Sequence, residues 1–137
     1  MNQFLAVPYL DEGRTLAGAD CWGLSMLARE AMGLPEIPLA VGTTRGTVHA
    51  MQQEFRRVSA SLARDMVRPG ALAAVFKGDA FVHVGVVVEA DGRLWVLETN
   101  PGVGPCMRRI ADFNAAYYKV VYYADRDLPE SPRSAPD

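Results

Sequence analysis

The sequence predicts an α+β domain, because helical spacing of apolar residues fills its first half and short β-branched segments fill its second. Two local signals anchor that reading. Asp20 and the Gly33/Pro35 pair bracket a helix-like run, and Asp91-Gly92 separates two strand-like runs as a hairpin turn would. At 137 residues the chain fits one compact domain and leaves no room for a second.

The first helix is expected over Cys21–Met32, with Asp20 as its N-cap and Gly33 as its stop. Leu24, Leu27, Ala28 and Ala31 fall at helical spacing and form its apolar stripe. A second helix is expected from Thr47 to about Ala63, with Met51, Phe55, Val58 and Leu62 on its buried side. Pro69-Gly70 then turns the chain into strand material, read as 71–76, 81–89, 93–98 and 117–123. In the second of these, Val82, Val84, Val86 and Val88 share one face, while Phe81, His83, Gly85 and Val87 share the other. His83 therefore points away from the valines, and Gly85 beside it leaves room for a close approach. Thr99–Pro105 reads as a rigid loop, and the Pro/Ser-rich, charged stretch 125–137 as a flexible tail after a domain of residues 1–124.

Composition narrows the chemistry. With 14 basic and 16 acidic side chains the net charge is −2, which gives no footprint for nucleic acid or an anionic membrane surface. No apolar run approaches the ~20 residues that span a bilayer, and Asp11 and Glu12 cut short the N-terminal apolar stretch. Synthesis as a soluble protein without a signal peptide is the expectation. Two cysteines, Cys21 and Cys106, and two histidines, His49 and His83, are the whole supply for a Cys- or His-based site. They are too few for a disulfide framework and contain no Cys-x-x-Cys pair, so neither a Cys21–Cys106 bridge nor a zinc site is expected. No metal and no cofactor are predicted.

Cys21 lies in the first turn of a helix, where unpaired N–H groups and the macrodipole favour a thiolate. His83 follows 62 residues later on a strand face that can meet that helix end. Cysteine at a helix start, histidine on a later strand and a polar residue on the next strand is the chain order of papain-like hydrolases. His49, in the expected second helix, has no such context and reads as structural.

The residues that frame this pair are Pro8-Tyr9, Gly13-Arg14-Thr15, Gly18-Ala-Asp-Cys-Trp-Gly-Leu24, Val67-Arg-Pro-Gly70 and His83-Val-Gly-Val86. Together they resemble the NlpC/P60 cysteine peptidases, and within them the small proteins of phage tail tips, over about residues 4–123. The resemblance implies a papain-like NlpC/P60 fold, with the Cys-bearing helix packed on an antiparallel sheet. It makes Cys21 the nucleophile and His83 the general base and acid. Tyr9, Asp20 and Trp22 become candidates for the substrate and oxyanion site; Asp20 reads equally as the N-cap and Trp22 as core. It implies a cysteine endopeptidase that cuts peptidoglycan stem peptides through a thioester. Its partners would be host peptidoglycan peptides and other tail-tip proteins. The protein would be carried by the virion and act in the host periplasm or cell wall. A weakly active or inactive structural component of the tail tip is the alternative, and an amidase or acyltransferase on the same Cys–His scaffold is a third reading.

Two departures stand out. The third polar residue of these enzymes is commonly a histidine at a position that here falls on Val96 or Leu97, both apolar. Glu98 and Asn100 are the nearest polar side chains on Val96's strand face, and after a register shift either is a candidate to orient the imidazole. A two-residue Asp91-Gly92 turn makes partner numbers sum to 183 and sets His83 opposite Asn100. Ala71 also stands where the family usually has Asp after Pro-Gly.

Overall fold

The computed structural model describes residues 2–37 and 48–126. Its elements run α1 (Asn2–Leu5), β1 (Arg14–Thr15), β2 (Gly18–Ala19), α2 (Cys21–Ala31), α3 (Val48–Ser59), β3 (Leu62–Arg64), β4 (Leu72–Lys77), β5 (Ala80–Ala90), β6 (Arg93–Asn100), β7 (Gly104–Arg109), α4 (Ile110–Ala116) and β8 (Lys119–Asp125). β1 and β2 form a small hairpin; the other six strands form one antiparallel sheet in the order β3-β8-β4-β5-β6-β7. This is the predicted α+β architecture, with the Cys-bearing helix lying on an antiparallel sheet. No helix among the described residues is long and apolar enough to cross a membrane.

Both faces of the sheet are covered. On one, Leu24 and Ala28 of α2 meet Val86, Val88 and Leu97, while Phe55 and Val58 of α3 join Trp22, Leu72, Phe81 and Val84. On the other, Phe113 of α4 packs with Ala73, Val75, Val87, Val96 and Tyr122. Alternation along each strand sends successive side chains into opposite layers, so Val86 and Val87 both disappear from solvent.

Asp20 starts α2 as expected, its Oδ1 accepting the Gly23 N–H at 2.8 Å. The helix stops at Gly33, whose φ of 78° is the left-handed conformation glycine adopts without strain. One interior position defies helix propensity. A Cβ on Gly23 would lie 2.0 Å from the Gly13 carbonyl oxygen, because the turn before β1 packs directly on the helix backbone.

Arg29, fully buried on α2, ties the far ends of the chain together. Its guanidinium donates to both carboxylate oxygens of Asp125 (2.6 and 3.0 Å) and to the carbonyls of Gly70 (2.8 Å) and Pro35 (2.9 Å). The domain boundary expected before residue 125 thus falls inside β8, where Asp125 also pairs with Leu62. Residues 127–137 lie outside the described residues.

Other expectations need correcting. The second helix ends at Ser59, and Leu62, though buried, belongs to β3. Thr47 and the side chains of His49 and Met51 fall outside what the structure describes. The expected loop 99–105 is shorter: β6 runs to Asn100 and β7 begins at Gly104. β7 tolerates Pro105 because it is an edge strand, where a missing N–H costs no ladder bond. β8 begins at Lys119 rather than Tyr117, since α4 occupies the preceding residues. The valine face is also interrupted. Val75 pairs with His83 but Phe76 with Phe81, so Val82 is a bulged extra residue. It is 42% exposed, whereas Phe81 joins Val84 in the core.

In a free helix, replacing Gly23 by alanine would gain about 1 kcal/mol. Here the 2.0 Å approach to Gly13 decides the sign. Gly23→Ala is expected to destabilise the protein by about 1–3 kcal/mol, as overpacking does; chemical denaturation of the two proteins checks it.

Candidate active site

The β5–β6 hairpin sets the geometry. Asp91 (φ 54°) and Gly92 (φ 74°) form the two-residue turn with positive φ at both positions. Pairs from Ala90↔Arg93 to Val86↔Leu97 follow the expected register, with partner numbers summing to 183. There the ladder ends. Beyond it β6 continues against β7, pairing Glu98 with Cys106, while β5 continues against β4, pairing His83 with Val75. At this open end His83 meets Glu98 rather than Asn100: its Nε2–H donates to Glu98 Oε1 at 2.8 Å.

Glu98 is fully buried and carries several further donors. Tyr117 Oη donates to Oε1 at 2.5 Å, and Asn100 Nδ2 reaches the same oxygen at 3.2 Å. Arg108 Nε donates to Oε2 at 2.5 Å, and Cys106 Sγ lies 3.9 Å from it. Burial pushes the Glu98 carboxyl up, but the bonds from His83, Tyr117 and Arg108 outweigh it and hold the group at about 2. Burial likewise pulls His83 down, and is outweighed by bonds to Cys21 and Glu98 that raise it to about 9. Nε2 being committed to Glu98, the bond to the Cys21 thiol falls to Nδ1. The Tyr117 ring lies 5.4 Å from the imidazole and is itself fixed against Phe113 at 4.9 Å. Burial and the bond to Glu98 drive the Tyr117 hydroxyl up to about 12, keeping it a donor.

His83 is thus bonded to Glu98 on one side and, on the other, interacts with the Cys21 thiol that helps raise it. Cys21 opens α2, half-buried against the core cluster that contains Trp22, Phe55, Phe81 and Val84. Its N–H and that of Trp22 belong to the first helical turn, which has no preceding intrahelical carbonyls to bond. Tyr9 bridges to Ala19 and borders the thiol; burial first, then the charges of Cys21, Asp11 and Asp20, push its hydroxyl up to about 12.

Two expected site residues take structural places instead. Asp20 is 1% exposed, and besides Gly23 it accepts from Arg14 Nη1 (2.7 Å) and the Glu12 N–H (3.1 Å). That carboxylate clamps the hairpin to the helix start and has no face toward solvent. The Trp22 side chain is likewise 1% exposed and edges onto Phe55, so only its backbone N–H is available to a substrate. Asn100 touches Glu98 and Tyr117, not His83. Cys106 sits beside Glu98 with a free thiol, as does Cys21 at the helix start. Arg108 went unread in the sequence and Tyr117 was read only as a strand residue, since neither lies in a motif and both reach Glu98 only through the fold.

A helix-borne thiol, a strand-borne imidazole and a carboxylate on the next strand define a papain-like Cys–His–acid arrangement. The described residues have a papain-like fold. It is similar to the crystal structure of the NlpC/p60 domain of the peptidoglycan hydrolase SagA, with a TM-score of 0.56 and 15% sequence identity over 91% of this chain and 92% of that one. The likeness is one of fold. No family model matches the sequence, and no curated protein matches it.

The two shifted groups give stability a pH signature. Glu98, held at about 2 against an ordinary 4.5, contributes fully above 4.5 and loses its contribution as pH falls toward 2. His83, at about 9 against 6.5, contributes fully below 6.5 and loses its contribution as pH rises through 9. The melting temperature should therefore peak between pH 4.5 and 6.5 and fall on both sides. Glu98→Gln should flatten both limbs. Melting curves of the two proteins across that range provide the check.

Proposed function

We propose that this chain is a cysteine endopeptidase acting on peptidoglycan stem peptides. The observation that carries the reading is the His83–Glu98 bond, with the imidazole interacting with the Cys21 thiol at the start of α2. The fold supports the substrate class, being similar to a domain of a peptidoglycan hydrolase.

The chemistry follows from the placement. An imidazolium beside the sulfur stabilises the thiolate, which attacks a peptide carbonyl carbon. The oxyanion that forms takes the first-turn N–H groups of Cys21 and Trp22. His83 gives its proton to the departing amine, leaving a thioester on Cys21. Neutral His83 then takes a proton from water, which attacks the thioester and releases the acid and the thiol. Throughout, Glu98 holds the Nε2–H, so that Nδ1 is the nitrogen that exchanges protons. Tyr9, half-buried beside the thiol, lines the entrance.

Delivery by a phage tail tip is the finer proposal. It rests on the sequence resemblance around Asp20-Cys-Trp-Gly-Leu24 and His83-Val-Gly-Val86. In that setting the enzyme opens the host wall ahead of the tail, with other tail-tip proteins as its partners.

Digestion of purified peptidoglycan, with released peptides read by mass spectrometry, tests the activity. Cys21→Ala and His83→Gln should release none, and Glu98→Ala, which removes the acceptor altogether, should be slowed about a hundredfold or more, as loss of an orienting group does. Equal release by Cys21→Ala and the unaltered protein would refute the peptidase. Phage carrying Cys21→Ala should assemble normal particles that infect poorly; missing tails would point to a structural role instead.

A further inference from the structure

We infer that Arg108 is a positioning residue that acts through Glu98 as a counter-charge, freeing the His83 proton for transfer. The inference builds on the proposed peptidase and goes beyond the three residues that reading uses.

Its basis is the division of labour around one buried carboxylate. Oε1 of Glu98 is held by His83 (2.8 Å), Tyr117 (2.5 Å) and Asn100 (3.2 Å). These three contacts, with the β6–β7 pairing of Glu98 and Cys106, fix where the carboxylate sits. Arg108 approaches the carboxylate from its other side. It bonds the other oxygen, Oε2, at 2.5 Å, and brings the one formal positive charge besides His83 that the structure shows bonded to Glu98.

The other groups around the pair do not serve this purpose. From α2, Cys21 brings a thiol; from β6, Asn100 is a neutral amide; from β7, Cys106 is a thiol that burial pushes up. Tyr117 stays protonated, and Val75 opposite His83 on β4 is apolar. α4 meets Tyr117 through Phe113.

The catalytic cycle needs His83 in both protonation states, charged to expel the amine and neutral to activate water. A lone carboxylate in a dry site binds an imidazolium strongly and holds its proton too long. Other cysteine hydrolases of papain-like order place an amide at this position, a neutral acceptor. Glu98 and Arg108 together have no net charge, so Arg108 offsets part of the pull that the carboxylate exerts on the His83 proton. The guanidinium is 43% exposed, which lets it stay charged without a desolvation penalty comparable to that of Glu98.

The test is the titration of the His83 imidazole by NMR in the full chain. Cys21→Ala is used as the background, so that the thiol does not titrate with it. A His49→Gln variant assigns the two histidine signals. Arg108→Gln should raise the His83 midpoint by about half a pH unit, the size expected of one partly screened charge removed at this range. Arg108→Lys should keep it near the starting value, and Glu98→Gln should lower it. No rise in Arg108→Gln, or a fall, overturns the inference, and so does an Arg108→Lys midpoint that matches Arg108→Gln. Because the titration needs no turnover, it stands or falls separately from the digestion assay.

Discussion

A buried carboxylate is the constraint around which this molecule is arranged. Glu98 has no exposure, and an ionised group in that position is tolerated only when its oxygens are fully engaged. Its donors come from three directions: His83 on β5, Arg108 on β7, and Tyr117 between α4 and β8. Satisfying them requires the β6–β7 register, the end of the β5–β6 ladder at Val86↔Leu97, and the packing of Phe113 that seats Tyr117. The same contacts that make the carboxylate bearable orient the imidazole. Stability and the geometry of the candidate site are here one requirement, met by one set of side chains.

The thiol is placed by a second, independent cluster. Asp20 joins the helix start, the β1 hairpin residue Arg14 and the Glu12 backbone in one buried knot. Around it the backbone is packed so tightly that side chains have no place. A Cβ on Gly13 would lie 2.3 Å from the Gly18 carbonyl oxygen, and one on Gly23 would meet the Gly13 carbonyl. The motif Gly18-Ala-Asp-Cys-Trp-Gly is thus largely a packing solution that leaves a free thiol at the helix start. Only Cys21 itself and its first-turn N–H groups face chemistry.

How much of this could be read from the chain follows from the range of each interaction. The caps of α2, the Asp91-Gly92 turn and the β5–β6 register were legible, because each is fixed by neighbours within a few residues. Cys21 and His83 were legible through their local setting. Glu98 was one of two candidates, and its choice over Asn100 depended on where the ladder stops, which no local pattern encodes. Arg108, the site role of Tyr117, β7 and α4 were missed for the same reason: Gly-Pro-Cys-Met-Arg-Arg has neither alternation nor β-branched residues, and it pairs because an edge of the sheet is available. The bulge at Val82 and the end of β8 likewise express contacts with partners far along the chain. Asp125 reads as the first residue of a polar tail until Arg29, on the first long helix, is seen to need it.

The turn at Asp91-Gly92 lies at the opposite end of the hairpin from His83 and touches nothing in the site. Loop tips of this kind usually accept insertions and deletions freely, since they change no packed contact. In this hairpin the tip works as a ruler. Its two residues set the sum of partner numbers for every pair up to Val86↔Leu97, and so decide which β6 side chain arrives beside the imidazole. One residue more or less would slide the strands by a single place, sending Glu98 to the face covered by α2 and Leu97 toward His83. Length variation at this surface turn, harmless in most proteins, is therefore excluded here by chemistry at the far end of the strand.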